Sequence, residues 1–273
     1  MYQQLVAFVN SLSATARAMP SRLSEWLDSI NPLTARDSLI IIMVIGASSG
    51  LVFGLFPELD LRTAAYFYDP LQHTWPTNRS VLLGFLRDLN GYVAIIFVVI
   101  AVAARPFAAM FSRAEPYICL RRAVFLVGSF LLGPGLIVNV LLKPEWGRPR
   151  PGEISQFGGS LDFEPWWDPF GNCTSNCSFV SGEESLAFWF LAWAIVLPPQ
   201  YRVASVTAAL LNCLVVGVGR ISVGAHFASD VIFAVVLTAL AIWIMHRIAF
   251  AGTSAMDDPT NGAARYRSPP NKI

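Results

Sequence analysis

Residues 220–230 read RISVGAHFASD and lie between two long apolar runs. The stretch holds Arg220, His226 and Asp230 among small and apolar residues. Because His226 and Asp230 are four positions apart, a helix would place them on one face, about one turn from each other. A carboxylate there can orient the imidazole and stabilise its charged form, and the guanidinium of Arg220 suits phosphate oxygens. The stretch therefore predicts a phosphate site, with a structural histidine near a helix start as the alternative.

The rest of the chain predicts an all-α polytopic membrane protein. Hydrophobic residues make up 55% of the 273 residues and charged residues 14%, with a mean hydropathy of +0.53. Soluble domains carry about 25% charged residues. The apolar residues form blocks long enough to cross a bilayer as helices. The six predicted spans are roughly residues 38–56, 86–104, 123–142, 179–197, 203–219 and 227–248.

The predicted spans divide the chain into three regions. Residues 1–37 are a cytoplasmic tail, residues 38–248 the membrane domain, and residues 249–273 a disordered cytoplasmic tail. Basic residues favour the side that holds both termini, so that side is the cytoplasm and the other is the outer side, or periplasm. The net charge of +1 gives no sign of a nucleic acid partner, and no particular oligomeric state is indicated.

Two further clusters lie on the outer side in this topology. The segment KPEWGRPRP, residues 143–151, supplies Lys143, Arg148 and Arg150, which suit either a bound phosphate or anionic lipid headgroups. Ser181 and Gly182 lie where a polar loop turns into the fourth span, and a helix start offers N–H groups to an anion. Ser181 and Glu184 also fit a capping box, which is the simpler interpretation of Glu184.

The cysteines and acidic residues give weaker signals. Cys173 and Cys177 lie four residues apart in the outer loop, where an oxidising compartment favours a disulfide over the alternative of two free thiols. The Asp and Glu residues show no clustered ligand spacing, so neither a metal nor another cofactor is predicted.

Taken together, these motifs resemble the type 2 phosphatidic acid phosphatase family of membrane lipid phosphatases. That family has Lys, six residues and Arg-Pro, matched by Lys143, Arg150 and Pro151. Its last motif, Ser-Arg, five residues, His, three residues and Asp, is matched from Arg220 onward, with Gly in place of Ser. In its second motif, Pro-Ser-Gly-His, only the Ser-Gly pair remains, and Glu183 stands where the family has His.

The resemblance implies a role for each matched residue. His226 would be the nucleophile that forms a phosphohistidine, and Asp230 would orient its ring. The phosphoryl oxygens would be held by Lys143, Arg150, Arg220, Ser181 and Gly182, with Arg148 as a further candidate. The family's missing histidine is a general acid. Glu183 would replace it as a protonated carboxyl, unless the leaving group is good enough to need no acid.

The resemblance also implies the activity. We expect a metal-independent hydrolase in a bacterial inner membrane that removes a phosphate from a lipid at the periplasmic face. The segments FPELDLRTAAYFYDP and CTSNCSFVSG are similar to the bacterial lipid A phosphatase branch. Undecaprenyl diphosphate and phosphatidylglycerol phosphate are alternative substrates. A lipid phosphotransferase using the same histidine and a non-catalytic lipid-binding protein are alternative functions.

Overall fold

The computed structural model describes residues 35–110 and 120–251, and within these ranges it contains helices and no β-strand. The predicted all-α fold is therefore confirmed. The predicted tails, residues 1–37 and 249–273, lie almost entirely outside the described residues. The α-helices are α1 (Ala35–Leu55), α2 (Glu58–Ala65), α3 (Val81–Met110), α4 (Leu120–Phe130), α5 (Gly182–Val196), α6 (Pro199–Ser222) and α7 (Ala228–Ala249).

Five of the helical stretches are long and apolar enough to cross a membrane. They are Arg36–Leu55, Val81–Ala103, Leu120–Glu145, Gln200–Ser222 and Ala228–Ala249. The predicted span 179–197 corresponds to α5, which has 15 residues and a length of about 22 Å. It is short because the Ser181 hydroxyl caps its start and Pro198 and Pro199 follow its end.

The short helix α5 lies at the centre of the bundle. It packs against α4, α6 and α7, and most of its residues are buried. Its sequence is apolar on all sides, which is typical of a helix with neighbours all round. Trp189 is fully buried and donates its indole N–H to the Leu126 carbonyl and the Ser129 hydroxyl of α4. The middle of α5 is thereby held in a fixed place relative to α4.

The helix that begins with α4 changes its winding before it reaches the polar loop. After Phe130 it continues as a π-helical segment, Leu131–Leu142, and ends in one turn, Lys143–Glu145. Pro134 lies in this segment and cannot donate a backbone hydrogen bond. The Asn139 side chain donates to the Pro134 carbonyl at 2.7 Å. Wide turns of this kind are frequent at functional sites, and this one leads directly to Lys143.

The helix order brings the predicted site segments to one end of the bundle. The end of the Leu120–Glu145 helix, the start of α5, the end of α6 and the start of α7 meet there. The loop after α2 covers part of this end, with the Trp75 ring packed at an angle against the Tyr68 and Phe157 rings. In the second loop, residues 146–181, Cys173 and Cys177 form a disulfide with their Cα atoms 5.8 Å apart.

Candidate active site

The predicted nucleophile, His226, does not lie on a helix. The chain leaves α6 at Ser222, turns through Gly224 with φ of +69°, and enters α7 at Ala228. The Asp230 carboxylate accepts the backbone N–H of Phe227 at 2.8 Å, which fixes the start of α7 two residues beyond His226. The prediction that His226 and Asp230 share a helical face is therefore wrong, because the aspartate caps the helix after the histidine.

A backbone carbonyl, rather than Asp230, is the direct partner of the His226 ring. The ring is fully buried, and its Nδ1 atom lies 2.8 Å from the Ser178 carbonyl oxygen. Since a carbonyl oxygen can only accept, Nδ1 carries the proton. The nearest Asp230 oxygen is 3.9 Å from Nδ1 and accepts the Ser178 hydroxyl at 2.5 Å. Asp230 thus acts on the ring only through Ser178 and at a distance. The second ring nitrogen, Nε2, lies on the other side of the imidazole.

Asp230 belongs to a group of buried polar residues that we call the buried arginine cluster: Asp60, Arg148, Ser229 and Asp230. One guanidinium nitrogen of Arg148 lies 2.7 Å from Asp60 and the other 2.5 Å from Asp230. The Asp60 carboxylate also accepts the Ser229 N–H at 2.9 Å and its hydroxyl at 2.6 Å. All three charged side chains are at most 1% exposed. The cluster ties α2 and the second loop to the start of α7.

This arrangement corrects the prediction that Arg148 binds phosphate. Its Nε donates to the Glu164 carbonyl, and its guanidinium carbon lies 4.4 Å from the centre of the Phe227 ring. Burial raises the pKa of Asp60, and the ion pair with Arg148 opposes that rise. The Arg148 side chain is 0% exposed and donates to four acceptors of the protein, so it presents no donor to a ligand that arrives from outside. Arg148 is therefore a positioning residue.

The opposite side of the His226 ring faces a second group, the cationic pocket: Lys143, Arg150, Glu183 and Arg220. One Glu183 oxygen lies 3.4 Å from His226 Nε2 and the other 3.3 Å from Arg220. Lys143 and Arg150 are close enough to interact electrostatically with Arg220 or Glu183. Glu183 is 28% exposed, which leaves the pocket open from outside. The structure thus brings four of the predicted site residues together beside the imidazole.

The start of α5 forms the inner wall of this pocket. The Ser181 hydroxyl accepts the Glu184 N–H at 3.3 Å, while the Ser181 N–H donates to the Asp230 carbonyl. Glu184 therefore does not complete the predicted capping box, and its side chain is 2% exposed inside the bundle. A Cβ atom at Gly182 would lie 3.2 Å from Lys143 Nζ and 3.3 Å from Asn139 Oδ1. The glycine lets the lysine ammonium lie against the helix start.

Comparison with known proteins identifies the family. Residues 122–254 match the PAP2 superfamily. A lipid A 4′-phosphatase of Francisella tularensis subsp. novicida is 31% identical over 218 residues, which are 79% of this chain and 97% of that protein. The chain belongs to the PAP2 superfamily. The predicted family is thereby confirmed.

Other relatives of this PAP2 protein share shorter regions. A lipid A 4′-phosphatase of Rhizobium etli is 38% identical over 132 residues, 48% of each chain. A lipid A 1-phosphatase of Rhizobium johnstonii is 38% identical over 98 residues, 36% of each chain. No solved structure matches the chain. The family and these relatives confirm a membrane phosphatase, which is a phosphoric ester hydrolase.

The site of this PAP2 protein contains groups that the sequence did not single out. Asp60 lies in a short helix far from the matched motifs, and nothing in its neighbours marks it as a partner of Arg148. Ser178 contributes a carbonyl and a hydroxyl that a motif search does not weigh. Among residues 35–110 and 120–251 no group of three or more His, Cys, Asp and Glu side chains could hold a metal ion. Lys143, Arg150 and Arg220 contribute positive charge to the cationic pocket.

Proposed function

We propose that this PAP2 protein removes a phosphate from lipid A at the periplasmic face of a bacterial inner membrane, through a phosphohistidine on His226. The observation that carries the proposal is the position of His226. Its Nδ1 proton is held by the Ser178 carbonyl, and its Nε2 lies 3.4 Å from Glu183, which in turn pairs with Arg220. An imidazole fixed at one nitrogen and open at the other towards cations is arranged to attack a bound phosphate.

The cations of the pocket would hold the phosphoryl group in place. Attack on phosphorus spreads negative charge over the phosphoryl oxygens, and fixed cations stabilise that charge as it develops. Arg220 and Arg150 offer planar forks of donors, and Lys143 offers a point charge. Gly182 adds the first backbone N–H of α5 on the same side. These residues are the proposed phosphate-binding set.

Glu183 occupies the space that the substrate needs. Reacting atoms approach to about 3–3.5 Å before attack, and a Glu183 oxygen already lies 3.4 Å from Nε2. The arriving phosphate would replace the carboxylate on Arg220 and displace it towards the leaving group. One transferable proton lies between Nε2 and Glu183 before binding, and it passes to Glu183 at this step. The transfer produces a neutral nucleophile and a protonated acid together.

The reaction then proceeds in two balanced steps. The Nε2 lone pair forms a bond to phosphorus, the bond from phosphorus to the lipid oxygen breaks, and that oxygen takes the proton from Glu183. In the second step the Glu183 carboxylate takes a proton from a water molecule that attacks the phosphohistidine. Inorganic phosphate leaves and His226 is restored. Neither step requires a redox partner.

The relatives support the proposed substrate class and the proposed position of the phosphate. The match that covers almost the whole of a relative is to a 4′-phosphatase, and the match to a 1-phosphatase covers 36% of each chain. We therefore assign the 4′-phosphate of lipid A as the preferred target. The periplasmic orientation rests on the basic residues of the predicted cytoplasmic side.

The test is phosphate release by the purified full chain from a panel of lipids. The panel holds lipid A, lipid A lacking either phosphate, undecaprenyl diphosphate, phosphatidic acid and phosphatidylglycerol phosphate. We expect the fastest release from lipid A that carries the 4′-phosphate. Substrate labelled in that phosphate should leave acid-labile label on the wild-type chain and none on His226→Ala. Fastest release from another lipid would overturn the substrate, and equal label on both proteins would overturn the nucleophile.

A further inference from the structure

A disulfide closes a short loop that contacts the cationic pocket. It joins Cys173 and Cys177, and we call residues 173–177 the disulfide loop. The residues between the cysteines are exposed, whereas Cys177 is fully buried. The next residue is Ser178, whose carbonyl accepts the proton of His226 Nδ1. The disulfide loop therefore ends one residue before the group that holds the imidazole.

Backbone hydrogen bonds attach the two ends of this loop to the segment KPEWGRPRP, residues 143–151. The N–H of Cys173 donates to the Gly147 carbonyl at 2.9 Å. At the other end, the N–H of Ser178 donates to the Arg148 carbonyl at 2.8 Å. The ends of the disulfide loop are therefore anchored on the same segment that supplies cations to the cationic pocket.

The side chain of Arg150 reaches the exposed part of the disulfide loop. Its Nε and Nη2 atoms donate to the Asn176 carbonyl oxygen at 3.1 Å and 2.8 Å. Asn176 has a φ of +51°, a left-handed conformation that asparagine tolerates better than most residues. A guanidinium has more donor hydrogens than these two bonds use, so donors remain on Arg150 for a phosphate. The Asn176 carbonyl thus orients the guanidinium without using all of its donors.

The exposed part of the loop, residues 174–176, depends on the disulfide for its conformation. Within residues 35–110 and 120–251, its N–H groups donate to no backbone carbonyl. Exposed residues without such bonds sample many backbone conformations in an open chain. The disulfide limits these conformations because it joins the sulfur atoms on either side. The position of the Asn176 carbonyl therefore depends on the covalent bond.

We infer that the disulfide is a positioning element of the active site, on which two contacts of the reacting groups depend. It fixes the Asn176 carbonyl, which orients Arg150 towards a bound phosphate. It also restrains Ser178, whose carbonyl sets the direction of the His226 ring. The inference rests on the proposed function, since it requires a phosphate that Arg150 binds and His226 attacks. The oxidising conditions of the proposed periplasmic face would keep the bond formed.

The disulfide is accessible to a reductant at one end. Cys173 is partly exposed, so a dithiol can attack its sulfur atom although Cys177 is buried. The exchange transfers two electrons and two protons: the disulfide becomes two thiols, and the dithiol becomes a disulfide. Dithiothreitol therefore opens the loop in the wild-type chain, and reoxidation closes it again.

The first test measures the binding of inorganic phosphate to the full chain in detergent by calorimetry. Cys173→Ser combined with Cys177→Ser removes the disulfide and keeps Cys119 and Cys213. We expect Kd for phosphate to rise about tenfold, the contribution of one hydrogen bond to a charged group. Thr174→Ala, at an exposed residue of the same loop, is the matched control and should leave Kd unchanged. An equal Kd for the double variant and the wild type would overturn the inference.

A second comparison separates positioning from general stabilisation. Arg150→Gln removes the guanidinium that the Asn176 carbonyl orients, and it should raise Kd by itself. Dithiothreitol should raise Kd about tenfold in the wild type and change it little in Arg150→Gln, because the effects of coupled contacts are not additive. Reduction of the wild type also replaces the double variant if that variant does not fold. The same rise in both proteins would show that the disulfide does not act through Arg150 and would overturn the inference.

Turnover distinguishes this inference from the proposed function. On the panel lipid that the wild type hydrolyses fastest, reduction should lower kcat about tenfold or more, and reoxidation should restore it. The double variant should not respond to the reductant. An unchanged kcat in the fully reduced wild type would overturn the inference and leave the proposed function intact. A wild type that loses phosphate affinity on reduction but hydrolyses no lipid of the panel would overturn the proposed function and support the role of the disulfide in phosphate binding.

Discussion

The two polar regions on either side of His226 are built in opposite ways. The buried arginine cluster places one guanidinium between two carboxylates, and its charged side chains are at most 1% exposed. The cationic pocket has three cations for one carboxylate, and Glu183 is 28% exposed. A region whose charges are paired and fully buried can only hold the protein together. A region with surplus positive charge and an open side is suited to an anion.

Neighbouring residues of one motif serve these two regions. Arg148 and Arg150 are two positions apart in GRPRP, yet Arg148 lies in the buried arginine cluster and Arg150 donates to the Asn176 carbonyl at the cationic pocket. Asp230 faces the cluster directly and the imidazole through Ser178. The comparison teaches that charge alone does not assign a role, because partners decide which arginine remains available to a ligand.

The largest expected effect comes from breaking the buried arginine cluster. Arg148→Met leaves Asp60 and Asp230 buried without their cation, which costs about 3–5 kcal/mol. We expect Tm in detergent to fall by roughly 10 °C and activity to be lost with the fold. Arg79→Met, at an exposed arginine in the segment between α2 and α3, should change neither. An Arg148→Met protein with normal Tm and impaired phosphate binding would return Arg148 to the phosphate site.

Removing a cation from the cationic pocket should give the reverse result. Arg220→Gln takes away a fork of donors that faces Glu183 and the proposed phosphate. Loss of one such donor costs about 10²–10³-fold in kcat, while Tm should remain near the wild-type value. Phosphate release from lipid A and thermal unfolding are measured on the same preparation. A fall in Tm as large as that of Arg148→Met would erase the distinction between the two regions.

A smaller loss is expected when Glu183 keeps its shape and loses its acidity. Glu183→Gln should reduce release from a phosphate monoester by about a hundredfold, the usual size of a general-acid contribution. The same variant is assayed on undecaprenyl diphosphate, whose leaving group is better. An equal loss of rate on both substrates would count against the alternative that a good leaving group departs without a general acid. Unchanged rates on both would remove Glu183 from proton transfer.

Most of the fold could be predicted because apolar runs of bilayer length have few other uses. The five helices that can cross a membrane each overlap a predicted span. The exception, α5, is short because its ends are set by a serine cap and two prolines. Other helices surround α5 where lipid would surround a membrane-spanning helix at the edge of the bundle. Hydropathy alone does not separate a helix surrounded by protein from one surrounded by lipid.

The candidate site was predictable only where a residue type and its spacing carried the signal. Lys143, Glu183, Arg220 and His226 lie together as proposed, since three ordered motifs at helix ends converge at one end of a bundle. Asp60 could not be found in this way, because its partner Arg148 is 88 residues away along the chain. The cap that moves His226 off the helix depends on the Asp230 side chain turning back to Phe227. The spacing of residues in a motif does not show which of several nearby partners a side chain takes.

A modest effect is expected where the lysine of the cationic pocket meets the start of α5. Gly182→Ala places a methyl group 3.2 Å from Lys143 Nζ, and the flexible ammonium end can move aside by a few tenths of an ångström. We expect KM for lipid A to rise about threefold with little change in Tm. Gly91→Ala is the matched control, since nothing lies within 4 Å of a Cβ at that position. Equal KM values for the two variants would show that the position of Lys143 is not critical.

The smallest effect should come from a metal chelator. In phosphoryl transfer a metal ion usually supplies positive charge beside the phosphoryl oxygens, and Lys143, Arg150 and Arg220 are placed to supply that charge here. Nδ1 of His226 is committed to the Ser178 carbonyl, and Nε2 is the proposed attacking atom, so the imidazole has no nitrogen to spare as a ligand. We therefore expect phosphate release from lipid A to be unchanged after dialysis against EDTA. Activity could instead be lost on dialysis and return with a divalent cation but not with a monovalent salt of the same ionic strength. That result would mean that these side chains do not supply the positive charge alone.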